Sequence, residues 1–257
     1  MVEIAPLLLL GVFSGFMAGL LGIGGGLIIV PALLYLLAGD INQAQLMHTA
    51  VGTALSVIVF TSISSVWAHQ QQKAIHWQYF KKLMPTILIG AFSGALLTTF
   101  MSFDFMRIFF AMFEISAALI MYFSLSSGAH INHLTHWVWH VAGFIIGLIS
   151  AVVGIGGGTM TTPFLTYNKV DIKHAIATSA AIGMPIAVAG VLGFVIAGWQ
   201  VEFATSFIHT QAFISIVIMS MIFAPLGAKV AHRTDGKKLK KFFALFLAFL
   251  GGLVLLF

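Results

Sequence analysis

Four glycines in five residues, Gly22-Ile23-Gly24-Gly25-Gly26, interrupt an apolar run, and the same five recur at Gly154-Ile155-Gly156-Gly157-Gly158. Backbone this rich in glycine is poor helix and adopts positive φ easily. Placed ahead of a helix, its free N–H groups form a nest for an anion. A nucleotide-type phosphate loop is excluded, because no Lys-Ser/Thr follows the glycines and no strand flanks them. Pro31 and Pro163 follow the two runs at equal distance. Thr162-Pro163 fits an N-cap followed by the first helical residue, so a second helix is expected to start there. Val30 precedes Pro31, so the first copy lacks that cap. Thr53, Ser56, Thr178 and Ser179 lie in the apolar runs that come next. Their hydroxyls either donate to a bound anion or bond back to their own helix carbonyls. The candidate anion-binding set is therefore Gly22, Gly24, Gly25, Gly26, Thr53, Gly154, Gly156, Gly157, Gly158, Thr178 and Ser179.

Three further residues could bind a proton or another ion inside an apolar run. Glu114 is the only acid deep inside a continuous apolar run, FFAMFEISAALI, and an intramembrane carboxyl is a functional candidate by default. Its repeat counterpart is Leu247, which sets it outside the symmetric core. His209 and Gln211 lie in a later run and serve equally as hydrogen-bonding side chains. His130, His133, His136 and His140 would share one arc of a helix. No cysteine or carboxylate accompanies them, so no metal site is expected. No cofactor and no enzymatic activity are expected, since no nucleophile–base or carboxylate pair occurs in the spans.

The elements that must position these groups repeat. Gly11–Tyr35 aligns without a gap on Gly143–Tyr167 at an offset of 132, with Gly11, Gly15, the glycine pentad, Pro31, Leu33 and Tyr35 all recurring. Ala50–Thr53 answers Ala175–Thr178, and Arg107–Ala111 answers Lys240–Ala244. The chain therefore divides into a repeat over 1–128, a His-containing linker at 129–136 and a second repeat over 137–257. Each half holds four apolar runs: about 4–38, 46–68, 83–101 and 103–125, then about 138–167, 174–197, 203–226 and 242–257. The first run would make about 52 Å of helix against a hydrocarbon core of about 30 Å. It is read as two half-helices joined by the unwound glycine turn. Gly11-x3-Gly15-x3-Gly19 and Gly143-x3-Gly147-x3-Ala151 put small residues on one face, where helices in lipid approach closely.

Of the 257 residues, 60% are apolar and only 7% are charged, against about 25% charged in a soluble domain. The runs are continuous rather than alternating, which excludes a β-barrel. The fold class is an all-α polytopic membrane protein of two homologous halves, each opening with a Gly-broken helix followed by three spans. The net charge of +5 is not a nucleic-acid signature, because six of the twelve basic residues crowd between Lys229 and Lys241 beside apolar runs. If both broken runs re-enter on their own side, eleven basic residues share one side and only Arg107 faces the other. The positive-inside bias favours that path. It makes the halves inverted repeats, with both termini outside. The N-terminus carries Glu3 and no basic stretch, and is read as the first membrane element rather than a cleaved signal.

The repeated G-x3-G-x3-G/A-x2-G-I-G-G-G-x4-P-x-L pattern, with the Ala-x2-Thr segments and Gly227-Ala228-Lys229-x-Ala231, resembles the TauE/SafE family of sulfite-exporter-like permeases. The likeness covers nearly the whole chain. It implies a secondary transporter of small sulfur-containing anions, such as sulfite, thiosulfate, sulfoacetate or another organosulfonate, in the inner membrane of a bacterium. One departure is Thr53-Ala54, where the family often has Thr-Ser as at Thr178-Ser179. The competing functional readings are an anion channel, with the same nests lining a pore, and a metal-dependent membrane protein using the four histidines.

Overall fold

The computed structural model describes residues 3–123, 135–199 and 207–255. Those residues form ten helices and no strand. In the first half they are α1 (Ile4–Leu21), α2 (Gly26–Leu37), α3 (Gln43–Gln71), α4 (Trp77–Thr98) and α5 (Phe103–Phe123). In the second they are α6 (His136–Val153), α7 (Gly158–Tyr167), α8 (Ile172–Trp199), α9 (Thr210–Arg233) and α10 (Gly236–Leu255). Five helices among the described residues, α1, α3, α4, α8 and α9, are long and apolar enough to cross a bilayer. With 12 and 10 residues, α2 and α7 reach only about 18 and 15 Å.

The glycine pentads end one helix and start the next. Gly22 follows α1 at φ 70°, and Gly154 follows α6 at φ 79°. Both N–H groups bond back to the last turn, to Ala18 and Ser150, in the left-handed cap that glycine serves best. The second helices then start at Gly26 and Gly158, earlier than the Thr162-Pro163 cap expected from sequence. Gly157 is the N-cap of α7, and Pro163 stands inside it. The reason is that Gly157 takes φ 75° without strain, so the helix can begin as soon as the chain has turned.

The small-residue stripes do the packing expected of them. Gly11, Gly15 and Gly19 of α1 lie on Ile216, Ser220 and Ala224 of α9, so these two helices run parallel. Gly143 and Gly147 of α6 lie on Leu83 and Ile87 of α4 in the same sense. A β-carbon on Gly19 would overlap the Ala224 carbonyl, which is the close backbone approach such stripes allow. The first helix of each half thus packs on a later helix of the other half. The last helices, α5 and α10, pack on each other.

Contacts sort the helix ends into two groups. At one end the His69 and His232 rings meet at 3.0 Å, Lys173 donates to the His232 carbonyl at 2.7 Å, and His174 Nδ1 lies 2.8 Å from the Ala74 carbonyl. Tyr79 stacks on Trp139 there at 5.3 Å, and Trp139 meets Phe164 edge-on at 5.0 Å. The start of α6 and the far part of α7 therefore lie together, beside the start of α8. At the opposite end His48 of α3 reaches the Thr98 carbonyl at 2.8 Å, and the His209 N–H reaches Thr53 at 2.9 Å. Lys73, Lys81, Lys82, Lys169, Lys173, Lys229 and Arg233 belong to elements of the first end, and Arg107 to the second.

Candidate functional site

The two glycine turns meet face to face in the middle of the bundle. The Gly156 N–H donates to the Ile23 carbonyl at 3.1 Å, and the α-carbon of Gly156 lies 3.2 Å from where a β-carbon on Gly24 would sit. A side chain on Gly26 would overlap the Gly154 carbonyl, and one on Gly158 would overlap that of Gly22. Residues 21–30 and 151–159 are all buried. The glycines therefore serve contact as well as turning: two backbones cross where no side chain fits.

Their surroundings differ. At the second turn Ser150, Thr159 and Thr161 are 0, 2 and 0% exposed, and none of their hydroxyls has a hydrogen-bond partner. The Ser150 and Thr161 oxygens lie 3.6 and 3.5 Å from the point where a β-carbon on Gly157 would stand, beside the Ile186 Cδ1 methyl, which is nearer still to that point. The Gly157 carbonyl takes the N–H groups of Met160 and Thr161 at 3.2 and 2.8 Å. The amides of Gly158 and Thr159 come before that first bond and have no acceptor within the helix. No side chain caps α7. Buried polar groups are normally satisfied, so three orphaned hydroxyls beside an uncapped helix start call for a ligand or water. Beside them Thr162 and Ser179 pair at 2.7 Å, and Ser179 is 3.0 Å from the Ile176 carbonyl.

At the first turn the matching positions are Ala18, Leu27, Ile29 and Val30, all fully or almost fully buried. Ser14 stands near Gly25, and its hydroxyl turns back to the Gly11 carbonyl at 3.4 Å. The helix start at Gly26 is equally uncapped but is walled with hydrocarbon.

The other sequence-predicted residues fall as follows. Ser179 joins the glycine region, its hydroxyl lying 3.1 Å from a β-carbon position on Gly22. Thr178 instead accepts the His76 N–H at 3.0 Å, and Thr53 accepts the His209 N–H at 2.9 Å. His76 and His209 are the N-cap residues of α4 and α9. The repeat-matched threonines thus tie a long helix of one half to a helix start of the other. Ser56 bonds back to Gly52 at 2.8 Å. His209 also caps α9 with its ring, accepting from the Ala212 N–H at 3.2 Å. Gln211 stands half-buried in the first turn of α9. Glu114 lies on α5, fully buried, against Gly251 of α10. The stretch 124–134, with His130 and His133, lies outside the described residues, as does the side chain of His136; His140 is exposed. Among the described residues no group of three or more His, Asp or Glu side chains suits a metal ion.

Ser150, Thr159 and Thr161 escaped the motif-based reading, although a signal for them was present. Comparing the two copies of the repeat for polarity rather than identity sets GTMTTP against GLIIVP. The polar copy is then plain.

Bundled helices, five of them among the described residues long and apolar enough to cross a bilayer, define a multi-pass membrane protein. Residues 7–254 match the sulfite exporter TauE/SafE family, and the chain belongs to that family. It is 37% identical to a probable membrane transporter protein of Haemophilus influenzae over 93% of each chain. It is 26% identical to another of Methanocaldococcus jannaschii, over 97% of this chain and 94% of that one. A third, from Bacillus subtilis, is 29% identical over the full length of both. No solved structure matches.

Proposed function

We propose that this protein is a secondary transporter that binds a small sulfur-containing anion at the α6–α7 glycine turn. Sulfite, thiosulfate, sulfoacetate and other organosulfonates are the candidate cargoes. Membership in a permease family makes the chain a membrane transport protein, and the site argument narrows what it carries. The observation that carries the reading is the presence of the Ser150 and Thr161 hydroxyls, both buried and unpartnered, beside Gly157 at the uncapped start of α7. The helix start contributes about half a positive charge and two free N–H groups. The buried residues described include no Lys or Arg. An anion would therefore be held by hydrogen bonds and a dipole, which suits a site that must release its cargo.

The two halves are read as inverted repeats, and each glycine-turned helix pair as re-entrant. The pairing of Trp139 with Phe164 supports this, as does the meeting of the α6, α7 and α8 ends beside the α3–α4 connection. With the basic end in the cytoplasm, the positive-inside bias is met and both termini lie outside the inner membrane. Transport then proceeds by one half rocking on the other around the crossed turns. The channel alternative differs in turnover and in passing anions without counter-ion stoichiometry.

The test is uptake of radiolabelled sulfite and thiosulfate into proteoliposomes, comparing native protein with Ser150→Ala/Thr161→Val. The expectation is saturable uptake in native protein and at least a tenfold loss in the variant. Undiminished uptake by a folded variant would move the site elsewhere.

A further inference from the structure

Glu114 is the one acid among the buried residues described, and both its carboxyl oxygens lack a hydrogen-bond partner. It stands mid-way along α5, on the seam with α10, where a β-carbon on Gly251 would lie 3.1 Å from its own. Among the described side chains, no titratable group on the elements packed against α5 engages it. His48 of α3 is committed to the Thr98 carbonyl and His69 to His232. His140, Tyr167 and Lys241 sit near the ends of α6, α7 and α10 that belong to the basic end. On α5 itself, Asp104 and Arg107 pair with each other at 3.5 Å, two turns or more from Glu114.

A carboxylate left alone at this depth is costly, whereas the neutral acid is tolerated. A group kept there with no structural partner is out of place in a purely packing role. The seam is also where the last helices of the two halves meet, one of the surfaces that rocking of the halves would shear. Its repeat counterpart Leu247 carries no charge, so the device occurs once per chain.

We infer that Glu114 is the proton-binding site that couples anion movement to the proton gradient. This rests on the transporter reading. When the seam opens toward one side, the carboxylate takes one proton from water. The neutral acid persists while the seam is closed, and it releases that proton when the seam opens to the other side. No other co-reactant is needed.

The experiment uses full-length protein in proteoliposomes with labelled sulfite, for native protein and Glu114→Gln. The expected result is that Glu114→Gln keeps sulfite counterflow at equal pH but loses accumulation driven by an imposed pH gradient, by tenfold or more. Gradient-driven accumulation equal to native would overturn the inference, and so would native accumulation that follows sodium and ignores pH. If Glu114→Gln fails to fold, Glu114→Asp and an internal pH dye decide. Proton entry with sulfite in native protein and a displaced pH optimum in the Asp variant support the site. No proton entry in native protein overturns it. Native protein that shows neither counterflow nor sulfite binding would instead sink the transporter reading itself.

Discussion

The two glycine turns have almost the same backbone and opposite linings. Both end a helix in a left-handed glycine, both restart one without a side-chain cap, and each fills the space beside the other. Around the first, Leu27, Ile29 and Val30 complete a dry wall; around the second, Thr159, Thr161 and Thr162 occupy the same repeat positions. The difference separates two jobs that the glycine motif alone merges. The motif supplies the crossing of two backbones, and the flanking residues decide whether a crossing also binds. On the proposed reading, a fold built by doubling keeps one copy for packing and uses the other for binding.

The shared job should be the hardest to disturb. Gly158→Ala and Gly26→Ala each drive a β-carbon into a carbonyl of the opposite turn. Neither neighbour is a flexible side chain, so each variant should lose about 3 kcal/mol or more, the upper end of overpacking. Gly39→Ala, with nothing within 4 Å, should cost little. Melting temperature in detergent reads all three. Equal tolerance at Gly26 and Gly39 would break the claim that both turns are packing devices.

Next come the threonines that repeat across the halves. Thr53→Ala and Thr178→Ala each strand the N–H at the start of a helix in the other half. Each should cost about 1 to 2 kcal/mol, and the two should agree within about 0.5 kcal/mol. A large inequality would show that one of them also touches cargo, which would sharpen the contrast between the halves.

The smallest effect concerns the basic end. Burial, and then the nearby His174, hold the His76 imidazole below its ordinary pKa. The folded protein therefore binds that proton less readily than the unfolded chain. The contribution is intact above the ordinary imidazole value and is lost as pH falls through the window below about 6.5. His174→Ala should flatten the fall in melting temperature between about pH 8 and about pH 5.5.

Much of this was legible in the sequence. The apolar runs and the packing stripes follow from apolar length and small-residue spacing, because those properties need no tertiary context, although the run expected at about 203–226 is α9 at Thr210–Arg233. The start of α7 was misplaced by about one turn, since Thr-Pro is a good local cap and only the turned chain shows that Gly157 comes first. Thr53 and Thr178, which match across the repeat, each accept the N–H at a helix start of the other half, a contact that only the fold reveals. The orphaned hydroxyls of Ser150, Thr159 and Thr161 were hidden because identity between repeats marks what both copies share, and these positions differ between the copies.

The most direct test is equilibrium binding of sulfite and thiosulfate to purified protein, read by calorimetry, for native chain, Ser150→Ala/Thr161→Val and Leu27→Thr. Hydrogen bonds to an anion are worth about 1.5 to 3 kcal/mol each, so losing two should weaken binding by at least about a hundredfold. The unliganded double variant should melt no lower than native, because its orphaned hydroxyls are gone. Leu27→Thr should lose stability and leave affinity unchanged. Native affinity in the double variant, or lost affinity in Leu27→Thr, would contradict a single polar site at the second turn.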